Sequence, residues 1–171
     1  VLLLLPLVLA AWPYRPVKAQ VQLVVEPRTF HTADGRPLVE VNMAFLAGTF
    51  RAGTNASGVP QASIEALTLV EQNGAIVAFG KSVVRGFEQL DPMQHDLVHQ
   101  EFFDLAPGLY DLVVEARDAS SQDTTTTRHR VPLAVGSLPP GISISDVLFA
   151  ERIVPAAEGE PSKYGYVAVP L

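Results

Sequence analysis

LAPGLYDLVVEARD, Leu105–Asp118, is the stretch whose reading decides the fold. Pro107-Gly108 supplies a turn. Strict alternation follows, with Tyr110, Leu112, Val114 and Ala116 pointing one way and Asp111, Glu115 and Arg117 the other. That period of two belongs to a strand with one face buried. Tyr110 opens the strand two residues after the glycine, where its ring can pack inward while its hydroxyl returns to nearby backbone. Turn and tyrosine together predict a pinned corner between two sheets.

A tyrosine so placed is the tyrosine corner of immunoglobulin-like sandwiches. The expected fold is therefore all-β, an immunoglobulin-like antiparallel β-sandwich with Pro107, Gly108 and Tyr110 as structural corner residues. The bulk composition agrees. A chain of 171 residues can bury one good core and begin a second module. With 48% apolar and 18% charged residues it suits a packed interior rather than a disordered chain. Its 14 prolines and 12 glycines, scattered between short apolar runs, favour strands over a helical bundle.

Working outward toward the start, Val1–Ala11 (VLLLLPLVLAA) is apolar but short for a bilayer span. Val17-Lys18-Ala19 then fits the small-residue rule for signal-peptidase cleavage before Gln20, so residues 1–19 are expected to be a signal peptide. The chain opens on Val1 and stops at Leu171 within an apolar run, and it reads as a fragment of a longer frame. Cleavage would remove Arg15 and Lys18, leaving ten basic against eighteen acidic side chains, a net charge of −8. So acidic a module is not expected to bind nucleic acid, nor to keep a membrane span once the signal is cleaved. There is no cysteine, so stability must come from packing without disulfides, and no lipid anchor on a thiol is available. Asn55-Ala56-Ser57 fits a glycosylation sequon, which matters only in a eukaryotic secretory pathway.

Before the corner, Val21, Leu23 and Val25 alternate with Gln22, Val24 and Glu26, and Pro27 is expected to end this first edge strand. Asp34-Gly35 signals a turn. Leu38–Leu46 follows as a strand with Val39, Val41, Met43 and Phe45 on one face and Glu40 and Asn42 on the other. Ala47–Gln61, rich in Gly, Thr, Asn and Ser, reads as a long surface loop. Ser63–Arg85 carries the strongest hairpin signal, because Asn73-Gly74 suits a type I′ turn in which both residues take positive φ. Carried through that turn, the register sets Ile64 against Val83, Ala66 against Lys81, Thr68 against Phe79 and Val70 against Val77 on one side.

Asp91–Asp104 has two readings. Asp91-Pro92 could cap a helix with Met93, Leu97, Val98 and Phe102 on one side. A strand from about His99 is favoured, since a sandwich needs one just before its corner. Beyond the corner, Ala119–Asp123 is a polar loop, and Thr124–Val135 is an edge strand with Val131, Leu133 and Val135 on one face and Pro132 on the other. The organisation expected is a sandwich over residues 20–136, a Pro/Gly hinge at 137–141 and the start of a second β module over 142–171.

The motifs that could carry chemistry are sparse. His95-Asp96-Leu97-Val98-His99 places two histidines four apart, which on a helix could share a zinc ion. Asp96 stands where a zincin wants glutamate, and no third ligand follows at a useful spacing. On a strand the two rings lie about 13 Å apart, too far for one metal, and are expected to face solvent. Asp118 and Asp123 bracket a loop that lacks the spacing and central glycine of a calcium site, so a polar turn is expected. No nucleophile elbow or phosphate loop is present. Catalytic residues, cofactors and metals are accordingly expected to be none. Phe102, Tyr164 and Tyr166 are the candidate interaction surface, because exposed aromatics mark contacts with neighbouring modules or sugars.

ISISDVLFAERI (Ile142–Ile153) followed by SKYGYVAVPL (Ser162–Leu171) resembles the middle of bacterial GWxTD-domain proteins, which are exported and of unknown function. VEVNMAF, the Asn-Gly hairpin and LAPGLYDLVVEARD stand upstream in that family's order. The resemblance implies export and supplies no catalytic residues to carry over, and the function expected is a non-enzymatic structural or protein-interaction module of an exported envelope protein, periplasmic or at the outer surface. Its partner would be another protein or the downstream domain. A carbohydrate- or surface-binding module, or the accessory domain of an enzyme whose catalytic part lies past Leu171, are the alternatives.

Overall fold

The computed structural model describes residues 20–32, 34–88, 95–122, 124–138, 141, 144–147, 149–155 and 166–170. Among them the chain forms strands and no helix: β1 Leu23–His31, β2 Pro37–Phe45, β3 Ala52–Thr54, β4 Pro60–Gln72, β5 Ala75–Arg85, β6 Leu97–Asp104, β7 Gly108–Asp118, β8 Thr127–Val135, β9 Ala150–Pro155 and β10 Tyr166–Pro170. The signal segment expected over residues 1–19 lies outside the described residues. All strand pairs are antiparallel. β1, β2 and β6 make one sheet with β2 central. β3, β4, β7 and β8 make a second, with β5 also paired to β4. β9 and β10 form a two-stranded ribbon.

The period-two pattern explains why these two sheets face each other. Val39, Val41, Met43 and Phe45 on β2 are wholly buried, as are Ile64, Thr68 and Val70 on β4 and Leu112 and Val114 on β7. Their apolar members join one core cluster, and each large apolar side chain so buried stabilises by about 1.5–3 kcal/mol. The result is a β-sandwich-like arrangement. Thr68 spans the layers, its Oγ1 lying 3.9 Å from Met43 Sδ. On one side β1 is tied to the β8 region, where Thr127 Oγ1 donates to the Val21 carbonyl at 2.5 Å and His31 Nε2 lies 3.3 Å from the Gly136 carbonyl. On the other side β6 lies over β5, and Glu101 reaches toward Gly80.

The corner forms as its residues dictate. Tyr110 is buried, and its hydroxyl donates to the Ala106 carbonyl at 2.8 Å. Gly108 packs closely there: a Cβ would sit 2.9 Å from Gln72 Nε2 and 3.3 Å from the Tyr110 ring. The hairpin turn also forms as expected, with Asn73 at φ 52° and Gly74 at φ 80°.

Several expectations are corrected. β1 does not stop at Pro27 but runs in unbroken register to His31 against Pro37. β1 is an edge strand, where a residue without an N–H removes no ladder bond on its free side. The segment expected to be a surface loop contains β3 and a buried Phe50. Glu40 and Asn42 do occupy the face opposite the core, yet both are buried, and Asn42 Nδ2 donates to Glu40 Oε1 at 2.9 Å while Gln100 Nε2 donates to Asn42 Oδ1 at 2.8 Å. β6 begins at Leu97, two residues ahead of His99, and settles that part of the chain as strand.

The hairpin register is the correction with the widest consequence. Gln72 pairs with Ala75 and Glu71 with Ile76 as the turn requires, but a bulge follows and Val70 pairs with Ala78. From there Thr68 faces Gly80, Ala66 faces Ser82 and Ile64 faces Val84. Two physical reasons favour the shift. A Cβ on Gly80 would lie 2.6 Å from Glu101 Oε2 and 3.0 Å from its Cδ, so this point of the face under β6 leaves little room for the Phe79 that the unshifted register would put opposite Thr68. The unshifted register would also have buried Lys81 without a partner.

Downstream of the sandwich, the chain returns to β1. Thr29 N donates to Asp146 Oδ2 at 2.7 Å, and Asp146 N donates to the Thr29 carbonyl at 3.3 Å. This pair of bonds covers part of the open edge of β1.

Candidate interaction surface

The residues picked from sequence as a contact surface do not come together. Phe102 lies half-buried on the outer face of β6, in register with Glu40. Tyr166 is exposed on β10, in the separate ribbon. Tyr164 lies outside the described residues.

A different surface emerges from the hairpin. The bulge turns Val77, Phe79, Lys81, Val83 and Arg85 outward, and Phe79 is 71% exposed, Val77 50% and Val83 43%. Sequence reasoning missed this row because it assumed an unbroken register and sent its bulky residues inward. The signal was present: Lys81 is in phase with Phe79 and Val83, while Ala78, Gly80 and Ser82 occupy the alternate positions.

The outer face of this sheet divides by charge. Across β4, β7 and β8 the ions are paired: Arg117 with Glu65 at 2.7 Å, Arg130 with Glu71 at 2.8 Å and with Asp111 at 2.9 Å, and Arg128 with Glu115 at 3.6 Å. Val113 lies in register between Leu69 and Arg130 within this charged half and is wholly buried. Toward β5 the face is apolar, and Lys81 and Arg85 have no carboxylate partner among the described residues.

His99, expected to face solvent, points between the sheets, and its Nε2 lies 3.4 Å from Glu101 Oε1. Burial pushes the Glu101 carboxyl up, but the His99 ring and the Thr68 and Ser82 hydroxyls outweigh it and hold it below the ordinary range. The carboxylate, not the imidazole, is the centre of this group. A hydrolase triad needs the imidazole between acid and nucleophile. Because the folded pKa is depressed, the stability that Glu101 contributes is fully present above about 4.5 and is lost as pH falls through the folded value. Glu101→Gln should therefore flatten the acid side of the stability profile: between about pH 5 and about pH 3 its denaturant midpoint should fall less than that of the parent protein. Equal falls would remove Glu101 from the acid response.

Asp118 is committed to the turn after β7, accepting from Arg51 N at 2.9 Å and Ser120 N at 2.8 Å. Asp123 lies outside the described residues. Asn55 of the sequon is likewise engaged: Oδ1 accepts from Ser57 N and Val59 N, both at 3.0 Å, and Nδ2 donates to Glu88 Oε1 at 2.8 Å. Between these two turns opens a cleft of about 610 Å³ lined by residues including Thr54, Ser57, Ser63, Ser120 and Arg85. Among the described residues its lining offers hydroxyls, amides and one guanidinium but no carboxylate or imidazole. No group of metal-ligating side chains is found among the described residues, and no helix there is long and apolar enough to cross a membrane.

Comparison with known proteins yields no match to this chain, whether among family models, curated proteins or solved structures.

Proposed function

We propose that the chain is a non-enzymatic protein-interaction module: an immunoglobulin-like β-sandwich of an exported envelope protein that meets its partner through the outer face of β5. One observation carries this reading. Val77, Phe79 and Val83 form an exposed apolar row on the outer face of a sheet whose other half is covered by paired charges. Scattered single apolar residues on a surface need no explanation, but three on one face of one strand, with Lys81 between Phe79 and Val83 and a polar rim beside them, are how contact sites are built. The tyrosine corner supports the immunoglobulin-like assignment, since Tyr110 bonds to backbone a few residues upstream as that corner does. The sequence of residues 1–19 and the resemblance of the tail to GWxTD-domain proteins support export and membership of a larger envelope protein.

Selection of binders from a displayed library of short random peptides tests the reading. Enriched clones should lose binding to the Phe79→Lys variant by about a hundredfold, in the range expected for a central aromatic anchor. Thermal melting of that variant should match the parent, because the side chain is solvent-facing. An enriched pool indifferent to Phe79→Lys, or a pool that never enriches, overturns the reading.

A further inference from the structure

We infer that β5 takes an extended polypeptide segment as an added antiparallel or parallel strand, and that this segment carries acidic side chains opposite Lys81 and Arg85 and apolar ones opposite Phe79 and Val83. The inference rests on the interaction reading above and names its mode and the chemistry of its partner.

Three features of β5 point to strand addition. First, β5 is an edge: it pairs with β4 and, among the described residues, with no strand on its other side. An unpaired row of backbone donors and acceptors is a template for another strand. Second, at eleven residues it is long for an edge, which proteins commonly shorten when no pairing is intended. Third, its outward residues form an ordered text rather than a smear. From Val77 to Arg85 the outward positions read apolar, apolar, basic, apolar, basic.

Charge then selects the occupant. The chain is acidic overall, and each cation on the neighbouring strands β7 and β8 that faces outward is engaged by a carboxylate: Arg117, Arg128 and Arg130. Lys81 and Arg85 are not engaged so among the described residues, and β5 contains no acidic residue to balance them. A second copy pairing through its own β5 offers no carboxylate, so in any register of such a pair Lys81 and Arg85 would stay without an anionic partner across the strands. A second copy is therefore a poor fit. An acidic segment is a good one, and opposite charges on facing strands also fix the register. Because β-strands repeat every two residues, the spacing of Lys81 and Arg85 requires acids four residues apart in the partner, with an apolar residue midway to meet Val83.

The selected peptides distinguish this inference from the reading beneath it. Clones sensitive to Phe79→Lys should carry an acidic–x–apolar–x–acidic pattern. Their affinity should fall about tenfold for the Lys81→Glu/Arg85→Glu double variant, as reversal of two rim charges implies. Lysine at both acidic positions of the peptide should restore it. On binding, backbone amides on the free side of β5 should slow their hydrogen exchange. Phe79-dependent clones that lack the acidic pair, or that bind without new protection on β5, overturn strand addition while leaving the interaction surface in place. Concentration-dependent dimerisation of the parent chain, abolished by Phe79→Lys, overturns the choice of occupant in favour of a second copy.

Discussion

Phe50→Ala should destabilise the domain by about 3–5 kcal/mol, the range for deleting a buried aromatic. Nothing in the composition of Ala47–Gln61 announces this. Phe50 stands among Gly, Thr, Ala and Arg in a stretch that reads as surface loop, where a substitution would change stability by no more than about 0.5 kcal/mol. In the folded chain its ring is 2% exposed and belongs to the core cluster. Its neighbours hold it there. Thr49 Oγ1 donates to the Leu46 carbonyl at 2.6 Å and accepts from Gln22 N at 3.1 Å. Arg51 N is bound by the buried Asp118 carboxylate at 2.9 Å. The segment therefore cannot collapse easily into a vacated site, which places the loss toward the upper part of the range. Chemical denaturation, compared with the neighbouring exposed Arg51→Ala as a control, measures it.

Tyr110 should separate its two roles. Tyr110→Phe removes the hydroxyl that bonds the Ala106 carbonyl and should cost about 1 kcal/mol, the net worth of one hydrogen bond. Tyr110→Ala also empties the ring site under Gly108 and should cost about 3–5 kcal/mol. Equal losses in equilibrium unfolding would mean that the ring is not packed at the corner, and the fold argument would lose its starting point.

How far the sequence could be read depended on how local the deciding physics was. The corner and the Asn-Gly turn were legible because each is set by a few adjacent residues: Tyr110 reaches back only to Ala106, and Asn73-Gly74 needs only positive φ. The alternation of β2 and β7 was legible for the same reason. What failed depended on partners far along the chain. Phe50 enters the core from a loop whose Arg51 N is bound by the distant Asp118, and Glu40 is buried beside Asn42, itself bonded to Gln100 on another strand. The face of β5 was lost to a single bulge, and the close approach of Glu101 to Gly80, which suits the shifted register, comes from another strand. One inserted residue moved Phe79 and Val83 from the expected core to the surface, and with them the candidate site. The polar register partner Lys81 was the one local clue, and it weighs less in a hydrophobicity pattern than three bulky neighbours.

Which face of β5 meets solvent decides whether the interaction surface exists, and the absence of cysteine from the chain makes this directly measurable. Val83 and Val84 are adjacent, identical in type, and sit at 43% and 7% exposure. Single-cysteine variants Val83→Cys and Val84→Cys, treated with a thiol reagent under native conditions, should differ sharply: the first should react nearly as fast as in denaturant, the second only as the protein opens. Fast reaction at Val84→Cys with protection at Val83→Cys would restore the unbulged register and remove the proposed interaction surface.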